Sequence, residues 1–135
     1  MKIVIDTNVV ASGVFGSGKP LKILEAWFDG SLDVLITEDI FVEYSRILCL
    51  LGKKYSTPVD EILKYIEVSS SWVKPIYLKE QVCEDKDDDK FIECAISGPS
   101  KCIVSGDKLL LACSGYNNIK IMKPNEFYDS FLNEK

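Results

Sequence analysis

A dense acidic segment is the first part of the sequence that could do chemistry. Five of the six residues from Glu84 to Asp89 are acidic, and an apolar helical pattern begins directly after them. A carboxylate at a helix N-terminus is favoured by the helix dipole and can cap free N–H groups, which explains one acid but hardly five. Like charges this close repel one another, and a cation among them lowers the repulsion. The segment therefore indicates either a cation site or a solvated acidic loop.

Two further aspartates follow apolar runs that are typical of buried strands. Asp6 comes directly after the run 2–5, and Asp107 closely follows the run 102–105. Neither run alternates with polar residues, which favours strands buried on both faces of a parallel sheet. Open α/β sheets form their sites at the carboxyl ends of such strands, although either aspartate could simply belong to a turn.

Glu43 is a fourth acidic candidate, placed on a predicted helix. This helix begins at Glu38 and aligns apolar residues such as Ile40 and Ile47 along one side. A turn of about 100° per residue puts Glu43 at the edge of that apolar side. A partly exposed helical glutamate without a function is the alternative interpretation.

Histidine is absent from the sequence, and its absence excludes several kinds of site. No Ser-His-Asp triad, Cys–His pair or histidine-ligated metal can form. The net charge of −5 gives no general attraction to nucleic acid, and Arg46 is the only arginine among 16 basic residues. Any contact with nucleic acid must therefore come from a local basic patch.

The cysteines and the hydropathy pattern indicate the setting of the protein. Five cysteines without a CxxC pair argue against a disulfide framework or a structural zinc site, and Cys94, Cys102 and Cys113 are expected in the core. An acid interrupts the N-terminal apolar run where a signal peptide would continue, and no run approaches the roughly 20 apolar residues that span a bilayer. A cytoplasmic protein without a membrane partner is expected.

Alternating strands and helices predict a single α/β domain over residues 1–135. Its expected architecture is a three-layer α/β/α sandwich around a central parallel sheet. Right-handed crossovers bring the strand-to-helix junctions to one edge, where the acidic residues converge. The other predicted elements are helices beginning at Pro20, Pro58, Asp89 and Pro124, strands over 33–37, 75–78 and 119–122, a glycine-rich loop over 13–18 and a linker over 52–57.

Converging carboxylates without histidine form an oxygen-only site. Such a site suits a hard cation, Mg²⁺ or Mn²⁺. One or two ions there lower the pKa of a bound water and stabilise charge on a phosphoryl oxygen during in-line displacement. Phosphodiester cleavage is the reaction that this chemistry favours.

The ordered set of motifs resembles the PIN-domain nuclease family. The motifs are Asp6-Thr7-Asn8, Glu43, the segment from Asp87 to Ala95, and Ser105-Gly106-Asp107-Lys108. The resemblance covers nearly the whole chain and looks most like the VapC-related toxins of toxin–antitoxin systems. It implies an endoribonuclease that depends on Mg²⁺ or Mn²⁺ and cleaves RNA, with an antitoxin protein as partner and a homodimeric assembly.

The resemblance also implies roles for single residues. It implies catalysis and metal binding by Asp6, Glu43, Asp89 and Asp107, metal binding by Asp88, and supporting roles for Thr7, Asn8 and Ser105. Asp89 is favoured within its run because it directly precedes the apolar helical pattern. These toxins commonly have another aspartate two residues after Asp107, where this chain has Leu109. A weakly bound second metal, or an inactive site, follows from that departure.

Two other classes of protein stay open. A PIN-like interaction module that has lost catalysis would bind a partner protein or its own dimer mate. A phospho-receiver-like domain is suggested by Lys123-Pro124 after the last strand, together with an acidic pocket that suits Mg²⁺. Against the receiver, Thr7 follows Asp6 where a paired acid is expected.

Overall fold

Five parallel strands form the central sheet of the computed structural model, which describes residues 1–133. The strands are β1 (Lys2–Ile5), β2 (Asp33–Ile36), β3 (Ser71–Trp72), β4 (Cys102–Val104) and β5 (Lys120–Met122). They lie in the order β3-β2-β1-β4-β5, with β1 in the middle. Ile3 is in register with Val34 of β2, and Ile5 with Val104 of β4.

Helices cover both faces of this sheet. They are α1 (Thr7–Phe15), α2 (Lys19–Phe28), α3 (Glu38–Lys54), α4 (Asp60–Ser69), α5 (Asp89–Ser97), α6 (Lys108–Leu111) and α7 (Pro124–Phe127). From β1 the chain moves towards β3 at one edge of the sheet through α1 to α4, and it then moves towards β5 at the other edge through α5 and α6. Because both kinds of crossover are right-handed, the two groups of helices lie on opposite faces. The predicted three-layer α/β/α sandwich is confirmed.

The strand order decides against the receiver-like alternative. Receiver domains share the flavodoxin-like order 2-1-3-4-5, whereas this sheet has the order 3-2-1-4-5. The receiver-like interpretation is therefore wrong.

The central strand is buried on both faces, as the sequence predicted. Ile3, Val4 and Ile5 have no exposed surface, because helices pack on both sides of β1. The Tyr44 hydroxyl of α3 donates to the Ile5 carbonyl and fixes α3 against the end of this strand. The residue that follows, Asp6, is thereby held at the edge of the core.

Helix α1, which the sequence did not predict, follows β1 and takes in the first half of the predicted glycine-rich loop over 13–18, whereas residues 16–18 are a loop as predicted. Helix α1 begins at Thr7 and passes through Gly13. A Cβ atom at position 13 would lie 2.5 Å from Leu24 Cδ1 and 2.9 Å from the Pro20 carbonyl. Gly13 therefore permits close contact between α1 and α2 and is no sign of a flexible loop.

The third strand also differs from its prediction. Strand β3 is Ser71–Trp72, and the segment 75–78, predicted as a strand, is irregular. The Leu78 N–H donates to Glu93 Oε2 at 2.8 Å, so a side chain of α5 satisfies this backbone group instead of a neighbouring strand.

Helix α3 is longer than predicted. It continues through Gly52 to Lys54, so the predicted linker over 52–57 is helical in its first half. Within residues 1–133, no helix combines the length and the apolar character that crossing a membrane would require.

Candidate active site

The carboxyl ends of β1 and β4 bring two predicted acids together. The Asp6 N–H donates to the Val104 carbonyl at 2.9 Å and so extends the pairing of the two strands. Ser105 Oγ donates to Asp6 Oδ2 at 2.7 Å and accepts from the Asp107 N–H at 3.0 Å. Ser105 therefore connects the two acids, which come from opposite ends of the chain.

Asp6 is almost fully buried, with 4% of its surface exposed. Burial raises the pKa of Asp6 above its ordinary value, the hydrogen bond from Ser105 opposes this, and repulsion from Asp107 and Glu43 adds to it. Charged Asp6 is thus held in an unfavourable environment that a cation would relieve.

Asp88 lies at the start of α5 and joins this cluster. Its surface is 8% exposed, and its Oδ2 atom is buried without a hydrogen-bond partner in the described part of the chain. Burial, followed by repulsion from Asp107, a hydrogen bond with the Asp107 side chain, and repulsion from Asp6 and Asp85, raises the pKa of Asp88 to about 7. A buried carboxylate oxygen without a partner is unfavourable, so this atom is available to a ligand such as a metal ion.

Asp89, the acid that the sequence favoured in this run, has both carboxylate oxygens occupied by the backbone. Oδ1 accepts from the Cys83 N–H at 2.7 Å, and Oδ2 accepts from the Val82 N–H at 3.1 Å. These bonds hold the preceding loop against α5. Metal binding by Asp89 stays a prediction, and the geometry favours Asp88 as the member of the run that interacts with Asp6 and Asp107.

Glu43 is placed beside the cluster by α3. The Thr7 hydroxyl donates to Glu43 Oε2, and Lys90 Nζ of α5 lies 2.8 Å from Glu43 Oε1. The side chains of this ion pair are only 20% (Lys90) and 18% (Glu43) exposed. Sequence reasoning missed Lys90, because its pairing with Glu43 depends on contact between two helices that are far apart in the chain.

The remaining supporting residues differ in their surroundings. Thr7 is buried and contacts Glu43, whereas Asn8, in the first turn of α1, is exposed. Asp107 accepts from the Leu109 N–H at 3.1 Å through Oδ1 and so caps α6.

The donor set suits a hard divalent cation, although its members are not gathered around one point. Among residues 1–133, no three His, Cys, Asp or Glu side chains are close enough together to hold a metal ion. The chemistry nevertheless fits Mg²⁺ or Mn²⁺, because every donor is an oxygen and Asp88 Oδ2 is buried without a partner. The residues that would bind the ion stay predictions.

A groove of about 840 Å³ lies next to Glu43, between α3 and the loop before α5. Its lining includes Tyr77, six acidic side chains and four cationic side chains, which are Arg46, Lys79, Lys86 and Lys90. Tyr77 is 66% exposed. The groove thus offers both charge and an aromatic face close to the acidic cluster.

The fold and the acidic edge together define an α/β/α domain with a carboxylate site. The PIN domain family matches residues 2–109, and the chain belongs to that family. An uncharacterized protein of Methanocaldococcus jannaschii is 33% identical over 144 aligned positions, which cover 97% of this chain and 92% of that protein. PIN domains are generally nucleases and typically use divalent metals.

Proposed function

We propose that this protein is a metal-dependent endoribonuclease that hydrolyses phosphodiester bonds in single-stranded RNA. The observation that carries the proposal is the buried Asp88 Oδ2, without a partner in residues 1–133, among the acids of the sheet edge. Membership of the PIN domain family supports the nuclease class. The absence of histidine in the sequence supports a mechanism based on carboxylates.

Asp6, Asp88 and Asp107 would hold Mg²⁺ or Mn²⁺, with Glu43 as a further acid beside them. When bound, the ion supplies a water of lowered pKa and neutralises charge on the phosphoryl group. Ser105 orients Asp6 and favours its ionised form, because its hydroxyl donates to Oδ2. Metal binding by Asp89 is the competing assignment, and each of its oxygens would then use the lone pair that the backbone N–H group leaves free.

Single-stranded RNA is the proposed substrate because the groove beside Glu43 can contact its backbone and bases. Arg46, Lys79 and Lys86 provide contacts to phosphates, and the exposed Tyr77 provides a face on which a base can stack. The net charge of −5 weakens the overall attraction, so binding should be weak and sensitive to salt.

Cleavage of labelled single-stranded RNA in Mg²⁺, in Mn²⁺ and in excess EDTA tests the proposal. We expect cleavage with either ion and none in EDTA, and we expect Asp88→Asn to be inactive although folded. Cleavage that continues unchanged in EDTA would contradict the mechanism. A matched DNA strand measures the preference for RNA.

We also propose that the nuclease is the toxin of a toxin–antitoxin pair, that it acts in the cytoplasm, and that it assembles as a homodimer under the control of an antitoxin protein. The support is the resemblance of the motif set. Induced expression of the wild type should arrest growth, whereas Asp88→Asn should not. Equal growth of the two strains at equal protein levels would contradict the toxin role, and sedimentation tests the dimer separately.

A PIN-like interaction module without catalysis is the second candidate. Two observations favour it: no three potential ligands are gathered in residues 1–133, and Leu109 occupies the position of a commonly acidic residue. This function would be established if the folded protein, free of inhibitor, cleaved no RNA with either metal.

A further inference from the structure

Two cysteine thiols lie in direct contact behind the acidic cluster. Cys113 Sγ is 3.1 Å from Cys83 Sγ, and the two residues are 30 positions apart in the chain. This contact is an S–H···S hydrogen bond in which the Cys113 thiol donates to Cys83 Sγ. A disulfide needs a sulfur–sulfur distance of about 2.05 Å, so the thiols would have to approach by only about 1 Å.

The two cysteines belong to the two segments that carry Asp88 and Asp107. The Cys83 N–H is bound by Asp89, which fixes Cys83 to the start of α5. Cys113 follows α6, the helix that Asp107 caps, and its Sγ lies 3.6 Å from the Leu109 carbonyl. A bond between the two sulfurs would therefore connect the segments on which the acidic cluster depends.

We propose that Cys83 and Cys113 form a reversible disulfide that makes the candidate metal site sensitive to redox conditions. The bond itself follows from the contact of the thiols, whereas its effect on metal binding rests on the proposed function. Sequence reasoning argued against a disulfide framework and placed Cys113 in the core. The structure describes Cys113 as half-buried and in contact with a buried thiol.

A small-molecule disulfide is the proposed oxidant. The Cys113 thiolate, the more accessible of the two, attacks one sulfur of the oxidant and releases one small thiol. Cys83 Sγ then attacks Cys113 Sγ and breaks the mixed disulfide, and the proton of Cys83, whose pKa burial raises, passes to the departing sulfur to give the second small thiol. Two protein thiols are oxidised, one small disulfide is reduced to two thiols, and an external dithiol reverses the reaction.

Oxidation should weaken metal binding. No three acids of the described residues could hold an ion as they stand, so the segments that carry Asp88 and Asp107 must shift when an ion binds. A covalent bond between their segments restricts that adjustment. Disulfides also restrict the unfolded chain, so the oxidised protein should melt about 5–10 °C higher in EDTA.

Peptide mapping of the full chain after treatment with oxidised glutathione tests the bond. Cys49 is exposed and will form adducts, so the matched background is Cys49→Ser. Trypsin releases Cys83 in the peptide 80–86 and Cys113 in the peptide 109–120. We expect a linked species whose mass is two hydrogens below the sum of the two peptides. Dithiothreitol should release the separate peptides, and the linked species should be absent when Cys113→Ser is added. A stable glutathione adduct on Cys113 without the link would overturn the proposal.

Manganese titration of the reduced and oxidised protein tests the effect on the site. We expect oxidation to raise the Mn²⁺ concentration for half-maximal thermal stabilisation by about fivefold or more, and dithiothreitol to restore it. The Cys49→Ser, Cys113→Ser variant should not respond to oxidation. An unchanged or lower Mn²⁺ requirement in the linked protein would overturn the redox role. A linked protein whose Mn²⁺ response changes but which cleaves no RNA would contradict the nuclease proposal alone.

Discussion

Asp88 and Asp89 are neighbours with the same chemical group but opposite surroundings. Asp89 accepts two hydrogen bonds from the backbone of the preceding loop and therefore stabilises the fold. Asp88 has a buried oxygen without a partner in the described residues and lies near other acids. One acid is thus satisfied by the protein, whereas the other requires a proton or a bound ion. The comparison distinguishes a carboxylate that stabilises the fold, Asp89, from one that can bind an ion, Asp88.

Asp107 combines both roles. One of its oxygens caps α6, and its charge raises the pKa of both Asp6 and Asp88. Substitution of Asp107 would therefore change helix capping and the acidic cluster at once. Substitutions of Asp88 and Asp89 therefore test the acidic cluster and the fold separately.

The largest expected effect is the loss of activity in Asp88→Asn. This change keeps the size of the side chain but removes a charge that the ion would bind, and we expect turnover to fall at least about 100-fold. Initial rates with saturating Mn²⁺ measure it, with Asp89→Asn at equal folded concentration as the control. A loss of this size in Asp89→Asn, with most activity retained in Asp88→Asn, would show that Asp89 binds the ion and that Asp88 does not.

The same pair should show the reverse order in stability. Asp89→Asn leaves one of two backbone N–H groups without a carboxylate acceptor, and we expect it to lose about 2 kcal/mol of unfolding free energy. Asp88→Asn removes repulsion, so the metal-free protein should be unchanged or more stable by about 0.5–2 kcal/mol. Urea denaturation in EDTA measures both values. Equal destabilisation of the two variants would show that Asp88 is also structural.

The stability of the metal-free protein should depend on pH through Asp88. The pKa of Asp88 is raised from 3.8 to about 7 in the folded protein. A raised pKa contributes stability that is present at low pH and is lost as pH rises through the folded value. In EDTA, the melting temperature should therefore fall by a few degrees from about pH 5 to about pH 8. Asp88→Asn should have a flatter profile, and identical profiles would contradict the assignment.

The smallest effect is expected at the edge of the cluster. Leu109 is 38% exposed and follows Asp107 in the first turn of α6. Leu109→Asp would add an acid near Asp107, and we expect the Mn²⁺ concentration for half-maximal cleavage to fall about fivefold. Leu109→Asn is the neutral control of similar size. Equal metal requirements for the two variants would show that the added charge does not reach the site.

The sequence was sufficient to predict the sheet edge at which Asp6 and Asp107 lie. The runs before these residues contain few polar side chains, so their burial on both faces could be predicted locally, and the strand pairing of Ile5 with Val104 agrees with it. The handedness of crossovers then placed both acids at the same edge. Helix α1 was not predicted, and its end was assigned to a loop because of Gly13, whereas the small size of Gly13 permits a contact with Leu24 that only the folded chain contains.

The sequence by itself determined that Asp6 and Asp107 lie at the same edge of the sheet, because strand burial and crossover handedness depend on local composition and chain chirality. It could not determine which acid of the run belongs to the cluster, because the backbone N–H groups that occupy Asp89 come from a loop of irregular structure. The ion pair of Lys90 with Glu43 and the contact of Cys83 with Cys113 likewise join distant segments. Only tertiary packing sets the distances between such side chains, because no local periodicity specifies them.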